Sequence, residues 1–124
     1  MMSSFLEIKH FNQTTVKYSV ERFVVLLNDS NRTDLAERID FLYKEIVNGL
    51  LQAETSKSNH EFRLNMLAAS KQSKGLLNLI RFIKIYKIIL VLEEDYKDFE
   101  DLVNQVEQAR RNTHRSTYTF KSID

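Results

Sequence analysis

Cysteine, proline and tryptophan are absent from this 124-residue chain, and glycine occurs only at Gly49 and Gly75. Without cysteine there is no disulfide framework and no thiolate metal site, which fits a reducing compartment. Without proline, and with almost no glycine, the usual punctuation of tight turns and hairpins is missing, so the expectation is an all-α fold. No apolar run is long enough to span a bilayer, and residues 1–14 lack the basic start and continuous apolar centre of a secretory signal. These absences point to a soluble, cytoplasmic protein without membrane contact. The length suits one domain with a single core. A formal net charge of +1 means that any strong electrostatics must be local.

Signs of catalysis are equally scarce. His10, His60 and His114 lie in separate segments, and the Glu-x-x-His repeats of di-iron bundles are missing. There is no phosphate-cradling glycine loop and no serine in a nucleophile-elbow context. No enzyme activity, cofactor or metal is expected. His60, beside Glu61, reads as an ordinary residue near a helix start.

Hydrophobic periodicity supplies four helices. The first runs from about Thr15 to Asn28, with Val16, Val20, Phe23 and Leu27 on one face, and is followed by the polar cluster Asn28 to Asn31. Thr33 is the expected N-cap of the second helix, with Asp34 and Glu37 at its positive end. That helix reaches about Thr55 and stacks Leu35, Ile39, Leu42, Ile46, Leu50 and Ala53. A loop from Thr55 to Asn59 leads into the third helix, which is drawn through to Leu92. The fourth begins near Glu93, aligns Tyr96, Phe99, Val103 and Val106, and ends near Arg111. Two antiparallel hairpins of this kind make an up-down-up-down four-helix bundle over residues 15–112. Residues 1–14, with Phe5, Ile8 and Phe11, form an arm or extend the first helix, and residues 113–124 form a flexible or partner-docked tail. By local preference alone, the β-branched run Ile83 to Leu92 could also be a strand; the long, regular periodicity upstream favours the helix.

The third helix carries two apolar faces. At about 100° per residue, Phe62, Met66, Ala69, Leu76, Ile80 and Ile83 fall on one side, and Leu64, Leu67, Phe82, Ile85 and Ile89 nearly opposite. A helix in a lone small domain needs one such face, so the second predicts an oligomer interface, unless the arm or tail of the same chain covers it. Between the faces Arg63, Lys74 and Arg81 lie within roughly 20° of one line, flanked by Lys71 and Lys84. Glu61 is the only acidic residue from Lys57 to Leu90.

The run RTDLAERIDFLYKEIVNGLLQAETSKSN, followed by LNMLAASKQSKGLLNLIRFIKIYKIILVLEEDYKDFEDLVNQVEQARR, resembles the small four-helix proteins that include the accessory variability determinant (Avd) of diversity-generating retroelements and the proteins encoded in 23S rRNA intervening sequences. The likeness lies in order and spacing: a helix opening in LAERID, a Ser/Asn loop, a long basic third helix, then LEEDY. It spans roughly Glu21 to Arg111. The resemblance implies a homopentameric barrel that associates with a reverse transcriptase and its structured template RNA through a basic surface. The matching positions for nucleic-acid binding are Arg63, Lys71, Lys74, Arg81, Lys84 and Lys87. Val106 to Asn112 lacks the glycine-rich, tryptophan-containing close common in the fourth helix of such proteins.

The chemistry of the row runs in the same direction. Cations aligned on a rigid helix can neutralise successive phosphates and release counterions. The plainer alternative is a solvated face, or one paired with the acidic fourth helix through Glu93, Glu94, Asp95, Asp98, Glu100, Asp101 and Glu107. The functional alternatives are a protein-only helical adaptor, or an intervening-sequence-type protein without a retroelement.

Overall fold

The computed structural model describes the backbone over residues 16–123, with side chains described as far as Arg111. The expected arm at residues 1–14 therefore lies outside the described residues. Four helices follow in order: α1 (Lys17–Asp29), α2 (Thr33–Glu54), α3 (Asn59–Ile85) and α4 (Glu93–Ile123). Among the described residues there is no strand, and none of the helices is long and apolar enough to cross a membrane.

The periodic faces of the first three helices become the core. Val16, Val20, Phe23 and Leu27 meet Leu35, Ile39, Leu42, Ile46 and Leu50, together with Met66, Ala69, Leu76, Ile80 and Ile83, all buried. From α4 the buried apolar residues are Phe99, Leu102, Val106 and Ala109, while Tyr96 and Val103 remain half-buried. The expected stripe on α4 was thus rotated slightly from the real one. Consecutive helices pack against each other across short turns, and α1 also meets α4. There Phe23 and Phe99 stack at 5.8 Å between ring centroids. Beside them the buried carboxylate of Asp95 accepts hydrogen bonds from the Ser19 hydroxyl (3.1 Å) and the Arg22 guanidinium. These four helices around one core have the arrangement of a four-helix bundle.

The turns explain how the chain reverses almost without glycine. After α1, Asn31 takes φ 60°, its N–H reaches Asn28 O (3.1 Å), and Arg32 N–H reaches Leu27 O (2.8 Å). These two bonds define a Schellman motif. Because that motif already uses Arg32, α2 starts at once, with Arg32 as the residue before it and no side-chain cap. The expected N-cap role of Thr33 is therefore corrected: Thr33 is already helical, and the side-chain contact at this end is Arg32 with Asp34 (3.1 and 3.2 Å). At α3 the cap is Ser58, which accepts from Glu61 N–H (3.1 Å) while the Glu61 carboxylate accepts from Lys57 N–H (3.0 Å). This is a near relative of the capping box.

The third helix does not reach Leu92. It ends at Ile85, where Lys87 takes φ 53°, Lys87 N–H bonds Lys84 O (3.2 Å) and Ile88 N–H bonds Ile83 O (3.1 Å). This is a second Schellman motif, here with lysine in the left-handed position. Seven more helical residues would carry the chain about 10 Å further. Turning back instead lets Val91 become buried and lets Ile88 and Ile89 pack on the core. α4 then runs past the expected end at Arg111 to Ile123; no proline or glycine lies between to stop it.

Candidate interaction surface on the third helix

From Asn59 to Ile85 the angular arithmetic of the sequence holds, because the segment is one continuous helix. Its inner face is buried as expected, with Phe62 half-buried at one edge. Its outer face keeps Leu64, Leu67, Phe82 and Ile85 accessible, at 52, 38, 42 and 65% of full exposure. These four do not form an unbroken stripe. Leu64 and Leu67 lie toward one end, Phe82 and Ile85 toward the other, and the middle carries Lys71, Gly75 and Asn78. Ile89, the fifth expected interface residue, is a correction: it lies in the turn beyond α3 and packs on the core. Three residues missed by periodicity, Tyr86, Leu90 and Leu92, are exposed at the turn. The Phe82 and Tyr86 rings meet at 4.6 Å and 44°. The unbroken apolar run in the sequence was the available signal for this patch.

The cations divide into three groups. Three of them are engaged by α4 at the flank where α3 and α4 pack. Lys74 Nζ lies 3.1 Å from Glu107, and Lys84 Nζ lies 2.7 Å from Glu93 and 4.6 Å from the centre of the Tyr96 ring. Arg81 donates through Nε to the Tyr96 hydroxyl (2.9 Å) and through Nη1 to Asn78 (3.3 Å). Arg63 and Lys71 make no ion pair with another described residue. Lys87, exposed at the left-handed position of the turn, is off the helix and out of the row. The row is thus real as a line of positions, but Lys74 and Lys84 lean on the acidic fourth helix.

Glu107 organises the most ordered polar cluster at that flank. Its carboxylate accepts from Arg110 (2.9 and 3.2 Å), from the buried Ser70 hydroxyl and from Lys74. These donors, the Arg110 and Ser70 bonds foremost, hold its pKa down at about 2, against the opposing effect of burial. A carboxylate so engaged stays charged and gives Lys74 a fixed partner. The Lys84–Glu93 pair is more open, with Glu93 largely in water, and such pairs contribute only about 0–1 kcal/mol. On the far side of α4, Asp98 has its pKa raised by burial and by the charges of Asp101 and Glu94.

Among the described residues, no group of three or more histidines, cysteines or acids is placed to hold a metal ion. What the surface offers is apolar contact at two ends of one helix and positive charge along its flank, the ingredients of recognition. Compared with protein-family models, curated proteins and solved structures, the chain matches none of them.

Proposed function

We propose that this chain is a non-catalytic, self-associating accessory protein of the cytoplasm that holds a reverse transcriptase together with its structured template RNA. The observation that carries self-association is the outer face of α3, where four large apolar side chains stand exposed on one rigid helix as two pairs, Leu64 with Leu67 and Phe82 with Ile85, about four turns apart. Apolar surface of this kind on a small bundle is stabilised by covering it. The retroelement setting comes from the sequence resemblance, which also implies a ring of five subunits. In such an assembly Arg63 and Lys71, free of ion pairs with described residues, supply positive charge beside the subunit contacts, and Arg81 and Lys84 can exchange weak partners for phosphates.

The test follows from which cations are free. Light scattering on a sized column reads the assembly, and filter binding of a structured RNA over a salt series reads the charge. The double variant Arg63→Glu/Lys71→Glu should abolish RNA binding at moderate salt while leaving mass and helical signal unchanged. In the unaltered protein affinity should fall steeply with salt. RNA affinity that survives the double change removes the nucleic-acid reading.

A second reading is a protein-only adaptor, favoured by the Lys74–Glu107 and Lys84–Glu93 pairs, which spend part of the basic row inside the fold. It predicts self-association without salt-sensitive RNA binding.

A further inference from the structure

Every exposed large apolar side chain among the described residues lies either on α1 and α2, as Tyr18, Val25, Phe41 and Leu51, or on α3 and the turn after it; α4 has none. A closed ring is built from head-to-tail contacts, in which one face of each copy meets a different face of the next. The outer face of α3 therefore finds its complement elsewhere on the same chain. We infer that this complement is the outer side of α2, so that α3 of one copy lies against α2 of the next, a step that rests on reading the α3 face as self-associating and names the surface it meets.

The place of α2 in the bundle favours it over α1. α2 and α3 pack side by side at neighbouring corners, whereas α1 packs on α2 and α4 and stands at the corner opposite α3. Contacts at neighbouring corners, which face about 90° apart, close a small ring, while contacts at opposite corners extend a line of copies. Charge agrees. Glu37, Phe41 and Glu45 recur every fourth residue along α2, an exposed aromatic ring between two carboxylates, and neither glutamate forms an ion pair with another described residue. The α3 face brings Lys71 to them, whereas two α3 faces set together would oppose like charges. Charges at the edge of a contact choose the partner face and speed encounter more than they hold the complex, so the apolar residues carry the assembly.

Heights along the bundle match as well. α2 and α3 run in opposite directions, and they touch where a Cβ at Gly49 would stand 3.4 Å from Ala69 Cβ and 3.6 Å from Asn65 O. Eight residues from that level, about 12 Å along each helix, are Phe41 and Gly75, and halfway there are Glu45 and Lys71. In the other direction Leu51 stands between the levels of Leu64 and Leu67. In a ring whose bundles stand along its axis, equal heights meet: Phe41 of one copy faces Gly75 of the next, and Leu51 faces Leu64 and Leu67. Gly75 then has a use. Glycine is the costliest residue but proline in a helix interior, and within one copy a Cβ there would meet only Leu42 Cδ2, at 3.9 Å, an ordinary contact. Between copies the missing side chain leaves a notch opposite the Phe41 ring, which is 55% exposed in the single chain.

Light scattering on a sized column at micromolar concentration should give an oligomer for the full chain. Phe41→Glu should make it monomeric with helical signal intact, and Gly75→Leu, which fills the notch, should do the same. The chain has no cysteine, so single cysteines report the contact directly. Under mild oxidation Leu51→Cys mixed with Leu67→Cys should give a cross-linked pair that neither gives alone. Efficient cross-linking of Leu67→Cys to itself would mean that α3 meets α3, and would overturn the inference. So would a Phe41→Glu protein of parental mass beside a monomeric Leu67→Glu, an outcome that leaves self-association through α3 standing. A monomer in the unaltered chain across the concentration range would overturn both.

Discussion

Lys87→Gly distinguishes a chain that turns at Lys87 from one that continues as helix to Leu92. At φ 53° an L-residue bearing a Cβ is disfavoured by about 1–2 kcal/mol. Glycine avoids that cost, but brings about 0.5–1 kcal/mol of extra backbone entropy in the unfolded chain. The two backbone bonds of the turn, Lys87 N–H to Lys84 O and Ile88 N–H to Ile83 O, do not involve the side chain and survive the change. The expected outcome is a gain of about 0.5–1 kcal/mol in urea or thermal unfolding, or roughly 2–4 °C for a domain of this size. Lys87→Ala is the control: it keeps the Cβ and removes the charge, so it should lie within about 0.5 kcal/mol of the parent. In a continuous helix the order reverses, because glycine in a helix interior is about 1 kcal/mol worse than alanine. A Lys87→Gly protein less stable than Lys87→Ala would therefore refute the turn, and with it the burial of Ile88, Ile89 and Val91.

Other variants probe the remaining elements. Asp95→Ala removes the acceptor shared by buried Ser19 and half-exposed Arg22 where α1 closes on α4; a loss of about 2–3 kcal/mol in chemical denaturation is expected. Ser58→Ala deletes the cap of α3 and should cost about 1 kcal/mol by the same assay. The Glu107 carboxylate, with its pKa lowered to about 2 in the folded state, contributes stability that is complete above the ordinary glutamate value and is lost as pH falls through about 2. Glu107→Gln should accordingly be less stable at neutral pH and show a shallower acid-unfolding curve over that window. Asp98→Asn, relieving a carboxylate opposed by burial and by Asp101 and Glu94, should unfold at slightly higher temperature at pH 7, with the difference shrinking as pH falls through the raised pKa.

Much of the bundle was legible in the residues because helix periodicity is local. The buried faces of α1, α2 and α3 are those that recur every three or four positions. On α4, Phe99 and Val106 were recoverable, but Leu102 and Ala109 displace Tyr96 and Val103 at the centre of the face, since the aromatic ring of Tyr96 spreads over the edge of the core and lends its hydroxyl to Arg81. Two end signals differ instructively. Asn31 is a residue type that tolerates the left-handed region, and its polar neighbours announced a turn; Lys87 announces nothing. The Ser58 to Glu61 spacing is a legible capping pattern within the stretch expected as a loop.

From composition and periodicity alone followed the helical class, the core faces of α1, α2 and α3, and the four exposed apolar positions on the outer side of α3, because each depends on residues within a few turns of one another. Only the packed tertiary structure decided where α3 stops and which of its cations stay free. Ile88, Ile89 and Val91 gain burial by folding back on the core, and that burial supports a lysine in an unfavourable backbone state. Glu107 reaches Lys74 from a helix more than thirty positions away in sequence, a meeting that no local pattern encodes.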